Sequence, residues 1–164
     1  MGNKKFWRRT LREKSLQILY AYEMNKEGLT DQTNMILSDV DQPVDRDFSI
    51  GLVNTVIANA SMLDDKIKER VTNWEMDRIA LIDKLLLRLG ISELMFFPDI
   101  PPKVSINEVI EIAKDYSTTN SGKFINGILD AILTELKRTG KLNKAGRGLI
   151  EETLPKKEYP SDKQ

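Results

Sequence analysis

Leu81-Ile82-Asp83-Lys84-Leu85-Leu86-Leu87-Arg88-Leu89-Gly90-Ile91-Ser92-Glu93-Leu94-Met95-Phe96-Phe97 is the stretch on which the fold turns. Its apolar residues, Leu81, Ile82, Leu85, Leu86, Leu87, Leu89, Ile91, Leu94 and Met95, fall on nearly every side of a helical wheel. A helix that is apolar all round has to be surrounded by others, so this segment is predicted to be the central helix of a helical protein. Pro98, Pro101 and Pro102 stop it. It is also too short and too often interrupted by charge to span a bilayer.

On either side the apolar residues recur with a period near 3.6, and no clear alternating run suggests a strand. A first helix is predicted from about Arg8 to Met24, with Leu11, Ser15, Ile18, Leu19 and Tyr22 on one face and Gly28 after it. A short helix follows from Thr30 to about Asp39. A long one is predicted from Arg46 or Asp47 to about Val71, carrying Phe48, Leu52, Val56 and Leu63, with a break at Thr72-Asn73. Ser105-Ile106-Asn107-Glu108 has the spacing of a capping box and predicts a helix start at Ser105. Ser117 to Ser121 reads as a polar connector, and a last helix is predicted from Gly122 to Lys137. The expected architecture is all-α, a single compact domain of about six or seven helices over residues 1–139, with residues 140–164 a polar, disordered tail.

Composition narrows the chemistry. The 164 residues contain neither cysteine nor histidine. Thiolate nucleophiles, disulfides and thiolate metal sites are therefore excluded, and so are the commonest general acid/base and the commonest transition-metal ligand. No glycine-rich phosphate loop and no oxygen-ligand metal loop is present, and acidic pairs such as Asp64-Asp65 sit in stretches expected to face water. A binding protein is expected rather than an enzyme, with no metal and no cofactor. The opening residues show no apolar signal core, and the chain is expected to act in the cytoplasm without a membrane.

The net charge of zero conceals segregation. Residues 1–26 carry seven basic and two acidic residues, residues 27–137 eleven and nineteen, and residues 138–164 seven and four. A basic arm on an acidic body suggests a polyanion contact at one end and a basic partner elsewhere. On a helical wheel, Lys5, Arg9 and Arg12 form a stripe that Leu16 and Tyr20 extend, offset from the core face, with Arg8 between the two. Guanidinium forks take phosphate bidentately, and a tyrosine beside them stacks on an unpaired base, which suits single-stranded RNA. The plainer alternative is an amphipathic helix with a basic, solvated outer face.

Several segments together resemble the NusB family of bacterial transcription antitermination factors. They are Arg8-Arg9-Thr10-Leu11-Arg12-Glu13 with Leu16-Gln17-Ile18-Leu19-Tyr20, then Leu87 to Leu94, Asp99 to Glu108, and Lys123-Phe124-Ile125-Asn126-Gly127-Ile128-Leu129-Asp130. The resemblance implies two packed helical halves. It implies binding to boxA-type single-stranded RNA in ribosomal RNA operon leaders, together with a small-subunit ribosomal protein called NusE in this role. It further implies assembly with RNA polymerase and other Nus factors, self-association as a homodimer in some members, and no catalysis.

By position, the resemblance implies an RNA surface including Arg8, Arg9, Arg12, Gln17 and Tyr20, with Asn120 and Lys123 beside it; Lys5 joins them through the basic stripe. Phe124 is expected in the core, and Arg88 and Asn126 in a buried polar network. A partner contact is expected around Asp83, Glu108 and Glu111. Asn120 stands where the family often has an acid, which removes a charge that would repel phosphate. Two alternatives remain open: a helical protein-interaction module without an RNA role, and the RNA-recruiting module of an RNA methyltransferase.

Overall fold

A computed structural model of the chain describes residues 7–150. Lys5 and residues 151–164 of the expected tail lie outside the described residues. Eight helices follow in order: α1 (Arg8–Asn25), α2 (Leu29–Ile36), α3 (Pro43–Ala58), α4 (Ala60–Lys68), α5 (Asn73–Arg78), α6 (Leu81–Phe96), α7 (Pro102–Tyr116) and α8 (Thr119–Arg138). A single 3-10 turn, Gly146–Leu149, closes the described chain. No helix among the described residues is long and apolar enough to cross a membrane.

The all-round apolar segment is the centre of the molecule. α6 packs against α1, α3, α4, α7 and α8, and its residues from Leu85 to Leu94 are buried without interruption. One half of the protein is α1 with α2 and α3; the other is α6 with α7 and α8. Gly90 lets α8 approach closely, since a Cβ there would stand 2.9 Å from Leu129 Cδ1. The halves are joined across α1 and α6, which run antiparallel: Arg12 meets Glu93, and Glu23, later on α1, lies near Arg88, earlier on α6. Between α1 and α3, the hydroxyls of Ser15 and Ser49 both donate to the Leu11 carbonyl, at 2.8 and 3.0 Å.

Several boundaries differ from the sequence reading, each for a local reason. The long helix expected up to Val71 is two, α3 and α4, because Asn59 turns its amide back onto the Thr55 carbonyl (2.8 Å) and leaves the helical backbone (φ −113°, ψ 14°). Asparagine competes with the backbone for its own hydrogen bonds in this way. α3 and α7 each begin at a proline, Pro43 and Pro102, where the missing N–H costs nothing. Ser105 is therefore inside α7 rather than capping it, and its hydroxyl is buried against Glu93. The capping box that does form is Thr72 with Glu75 at the start of α5. α8 starts three residues before Gly122, with Thr118 Oγ1 accepting from the Ser121 amide.

The first part of the expected tail is ordered against the body. Past Gly140, which takes the left-handed conformation (φ 67°), Lys144 Nζ donates to the carbonyls of Glu93 and Phe97 at 3.0 and 2.8 Å, closing the C-terminus of α6. The Ala145 amide donates to the Pro98 carbonyl at 3.0 Å. Gly148 is buried so tightly that a Cβ would overlap that same carbonyl oxygen. These contacts run through backbone, glycine and a lysine ammonium, so a polar composition did not announce them.

Candidate nucleic-acid interface

α1 is covered on two sides, by α2 and α3 on one and by α6 and α7 on the other. The basic stripe expected to face outward is therefore divided. Arg12 is only 3% exposed and Leu16 1%. The Arg12 guanidinium donates through Nε and Nη2 to the two Glu93 oxygens at 2.8 and 2.7 Å, and Ser105 Oγ donates to the same carboxylate at 3.0 Å. Sealed ions persist only when paired and hydrogen-bonded in this manner. Arg12 is thus a core residue, which corrects the expectation that it contacts RNA. The wheel separates it from the Leu11–Ile18 face, but it cannot foresee that α6 covers its own side as well.

Arg8 and Arg9 remain at the surface. Arg8 has its guanidinium carbon 4.0 Å from the centroid of the Phe48 ring, which holds the charge by cation–π attraction while leaving it exposed. Arg9 is half-exposed and donates to both oxygens of Glu108, at 2.7 and 3.0 Å. Glu108 raises the pKa of that guanidinium by hydrogen bonding, against the opposing effect of burial. Glu108 is therefore engaged within the chain, and Glu111 is paired with Lys114 at 2.8 Å. Two of the three acids expected to meet a basic partner are, in this structure, partnered by cations of the chain itself.

Further along α1, Gln17 Nε2 donates to Tyr116 Oη at 2.9 Å. The pairs Arg9–Glu108 and Gln17–Tyr116 have the same sequence separation, so α1 and α7 run parallel in one register. Tyr20, one turn beyond Gln17, is 39% exposed. Asn120 and Lys123 are exposed on the first turns of α8, just past the end of α7. From Arg8 to Tyr20 the α1 axis advances about 18 Å. The exposed surface thus begins with guanidinium groups, continues through an amide and two tyrosines, and ends near an amide and an ammonium. The sequence reading overlooked Tyr116, although its position just before the polar connector was a signal.

Asp83 lies at the same end of the molecule, in the first turn of α6. It is buried and accepts from Ser121 Oγ at 2.8 Å, which ties α6 to α8. Its other oxygen, Oδ1, has no hydrogen-bond partner among the described residues. With Trp74, Arg78, Ile79, Asn120 and Phe124 it lines a shallow cleft of about 410 Å³. Phe124, expected in the core, is only partly buried. Trp74 is 64% exposed and has the Arg78 guanidinium carbon 4.1 Å from its ring centroid. Arg88 is structural as expected, bonding both oxygens of Asp64 at 2.8 Å. Asp64 is therefore an ion-pair partner and not part of a solvated face. Among the described residues no group of acids could hold a metal ion.

Residues 9–134 match the NusB family. Among curated relatives, the transcription antitermination protein NusB of Chloroherpeton thalassium is 48% identical over 152 residues, 92% of this chain and 71% of the relative. That of Salinibacter ruber is 45% identical over 146 residues, 87% of this chain and 91% of the relative. Among solved structures, T. maritima NusB is similar with a TM-score of 0.71 at 36% identity, covering 80% of this chain and 94% of that one. A structure of the antitermination factors NusB and NusE in complex with dsRNA shares the fold, with a TM-score of 0.71 at 23% identity over 78% of this chain and 96% of that one.

Proposed function

The chain belongs to the NusB family, and from that membership we propose that it is a non-catalytic transcription antitermination factor of the cytoplasm. It binds boxA-type single-stranded RNA from ribosomal RNA operon leaders together with the ribosomal protein NusE. The pair joins RNA polymerase and other Nus factors and holds off premature termination. The observation that carries the reading is the exposed face of α1 and the α7–α8 turn, where cations and stackable rings alternate over a length suited to a few nucleotides. Arg8 and Lys123 supply phosphate contacts, Tyr20 and Tyr116 supply ring faces, and Gln17 and Asn120 offer amides to base edges. Arg9 joins them either while still bonded to Glu108 or by exchanging that carboxylate for a phosphate.

The partner protein is assigned to the cleft beside this face. Trp74 and Phe124 provide apolar anchors there, and the carboxylate of Asp83, which lines the cleft, gives it the negative charge that suits a basic protein. This reading keeps Asp83 as a partner residue and relieves Glu108 and Glu111 of that role.

Fluorescence anisotropy with labelled boxA-type RNA and a scrambled RNA tests the assignment. Arg8→Glu/Lys123→Glu, with an unchanged helical circular dichroism spectrum, is expected to lose most of the affinity. Undiminished binding by that variant would leave the basic arm a solvated face.

A further inference from the structure

The family match ends at residue 134, and the chain continues past it through a segment with a marked composition. Between residues 138 and 150 it carries Arg138, Lys141, Lys144 and Arg147 and no carboxylate. The fold determines where this charge goes. Lys144 and Ala145 anchor the segment to the carbonyls of Glu93, Phe97 and Pro98, and Gly148 seats it against Pro98. That anchorage lies at the C-terminal end of α6. There the Phe97 ring meets Phe48 edge-on with centroids 6.2 Å apart, and Phe48 in turn carries the Arg8 guanidinium.

Two basic stretches from opposite ends of the sequence therefore converge on one end of the molecule. Arg8, Lys141 and Arg147 are exposed there, and none has a carboxylate partner among the described residues. Arg9, Arg12, Arg70 and Arg88, by contrast, are all paired with carboxylates. Glu93 and Asp99 act on Lys144, but gathering the remaining like charges costs free energy in the isolated protein, and a run of phosphates relieves it.

We propose that the strap over residues 141–150 is a second polyanion-binding element, in which Lys141 and Arg147 carry the RNA track of α1 past Arg8. The strap offers cations and no aromatic ring, so it grips phosphates and extends the bound length of RNA without reading its sequence. The inference rests on the RNA-binding function proposed above.

The test uses the full chain and two labelled RNAs: a boxA-type core, and the same core lengthened by several nucleotides at both ends. Single-strand contacts each contribute about 0.7 to the slope of log affinity against log salt. Lys141→Glu/Arg147→Glu is expected to lower that slope by about 1.4 and to weaken binding of the long RNA about tenfold. The short RNA should be affected much less. Gly148→Val keeps every charge but unseats the strap, and it is expected to produce the same selective loss. Unchanged binding of the long RNA by either variant, with helicity intact, overturns the inference while the function of α1 stands. Failure of the wild-type chain to bind either RNA overturns the RNA reading itself.

Discussion

The guanidinium of Arg12 lies against the carboxylate of Glu93 with two hydrogen bonds of 2.8 and 2.7 Å, and both side chains are sealed from water. This pair spans 81 residues of sequence and joins α1 to the central helix. Ser105 adds a third bond from α7, so one carboxylate organises three helices. Removing one member of a buried pair leaves the other uncompensated, at a cost of about 3–5 kcal/mol. Arg12→Ala is expected to lower the unfolding free energy measured in urea by an amount in that range, whereas Arg8→Ala should leave it nearly unchanged. Comparable small effects from both substitutions would contradict the division of the basic stripe into core and surface.

Two glycines separate global from local stability. At Gly90 an added methyl would crowd Leu129 inside the core, and overpacking of this kind costs about 1–3 kcal/mol. Gly90→Ala is expected to shift the whole unfolding transition. Gly148→Ala would instead collide with the Pro98 carbonyl at the edge of the fold. Its expected signature is fast hydrogen exchange at the Ala145 amide, with the α1 and α6 amides as protected as before. A large loss of global stability from Gly148→Ala would mean that the strap is integral to the core.

The seam between α1 and α7 makes stability depend on pH through Glu13. Burial raises its pKa above the ordinary value of 4.5; Asp115 and Glu108 push the same way, and Arg9 opposes them. The folded protein therefore holds a proton on Glu13 at a pH where the unfolded chain has released it, so the contribution of Glu13 to stability falls as pH rises above 4.5. Glu13→Gln does not titrate. It is expected to be more stable than wild type at pH 7, with the difference vanishing as the pH falls below 4.5. Thermal melts at both pH values check the sign, and a variant less stable than wild type at pH 7 would refute it.

Asn120 is exposed beside the cleft, three residues before Lys123 on the same helix. A carboxylate at this position would repel phosphate and draw the Lys123 ammonium toward itself. Asn120→Asp is expected to weaken RNA binding severalfold, most at low salt, without altering the melting temperature. Equal affinity in a direct titration would remove Asn120 from the RNA surface.

Which parts of this were readable in the sequence follows from the physics of each element. Leu81–Phe96 could be read because a helix apolar on all sides has one place to go, and α6 occupies it. The burial of Arg12 could not be read, because the decisive partner is Glu93, far along the chain, and helical periodicity carries no information about which neighbour covers a second face. The start of α7 was misplaced because Ser105 and Glu108 have the spacing of a cap while each has a tertiary partner, Glu93 and Arg9 respectively. The strap was hidden for a different reason. Its anchors are a lysine ammonium on carbonyls and a glycine on a backbone oxygen, which hydropathy scores as solvent-loving. Of the proposed surface, Arg8 and Tyr20 drew attention as residue types that suit RNA and Gln17, Asn120 and Lys123 only through the resemblance, while Tyr116 and Trp74 entered only through their positions in space.

RNA binding is measured by titrating fluorescent boxA-type RNA with the full chain, alone and with the NusE partner, at two salt concentrations. Salt-sensitive binding is expected, strengthened by the partner and abolished by Arg8→Glu/Tyr20→Ala while the helical spectrum is preserved. Partner association without RNA binding under either condition would contradict it, and the exposed face of α1 would then belong to a protein-interaction module.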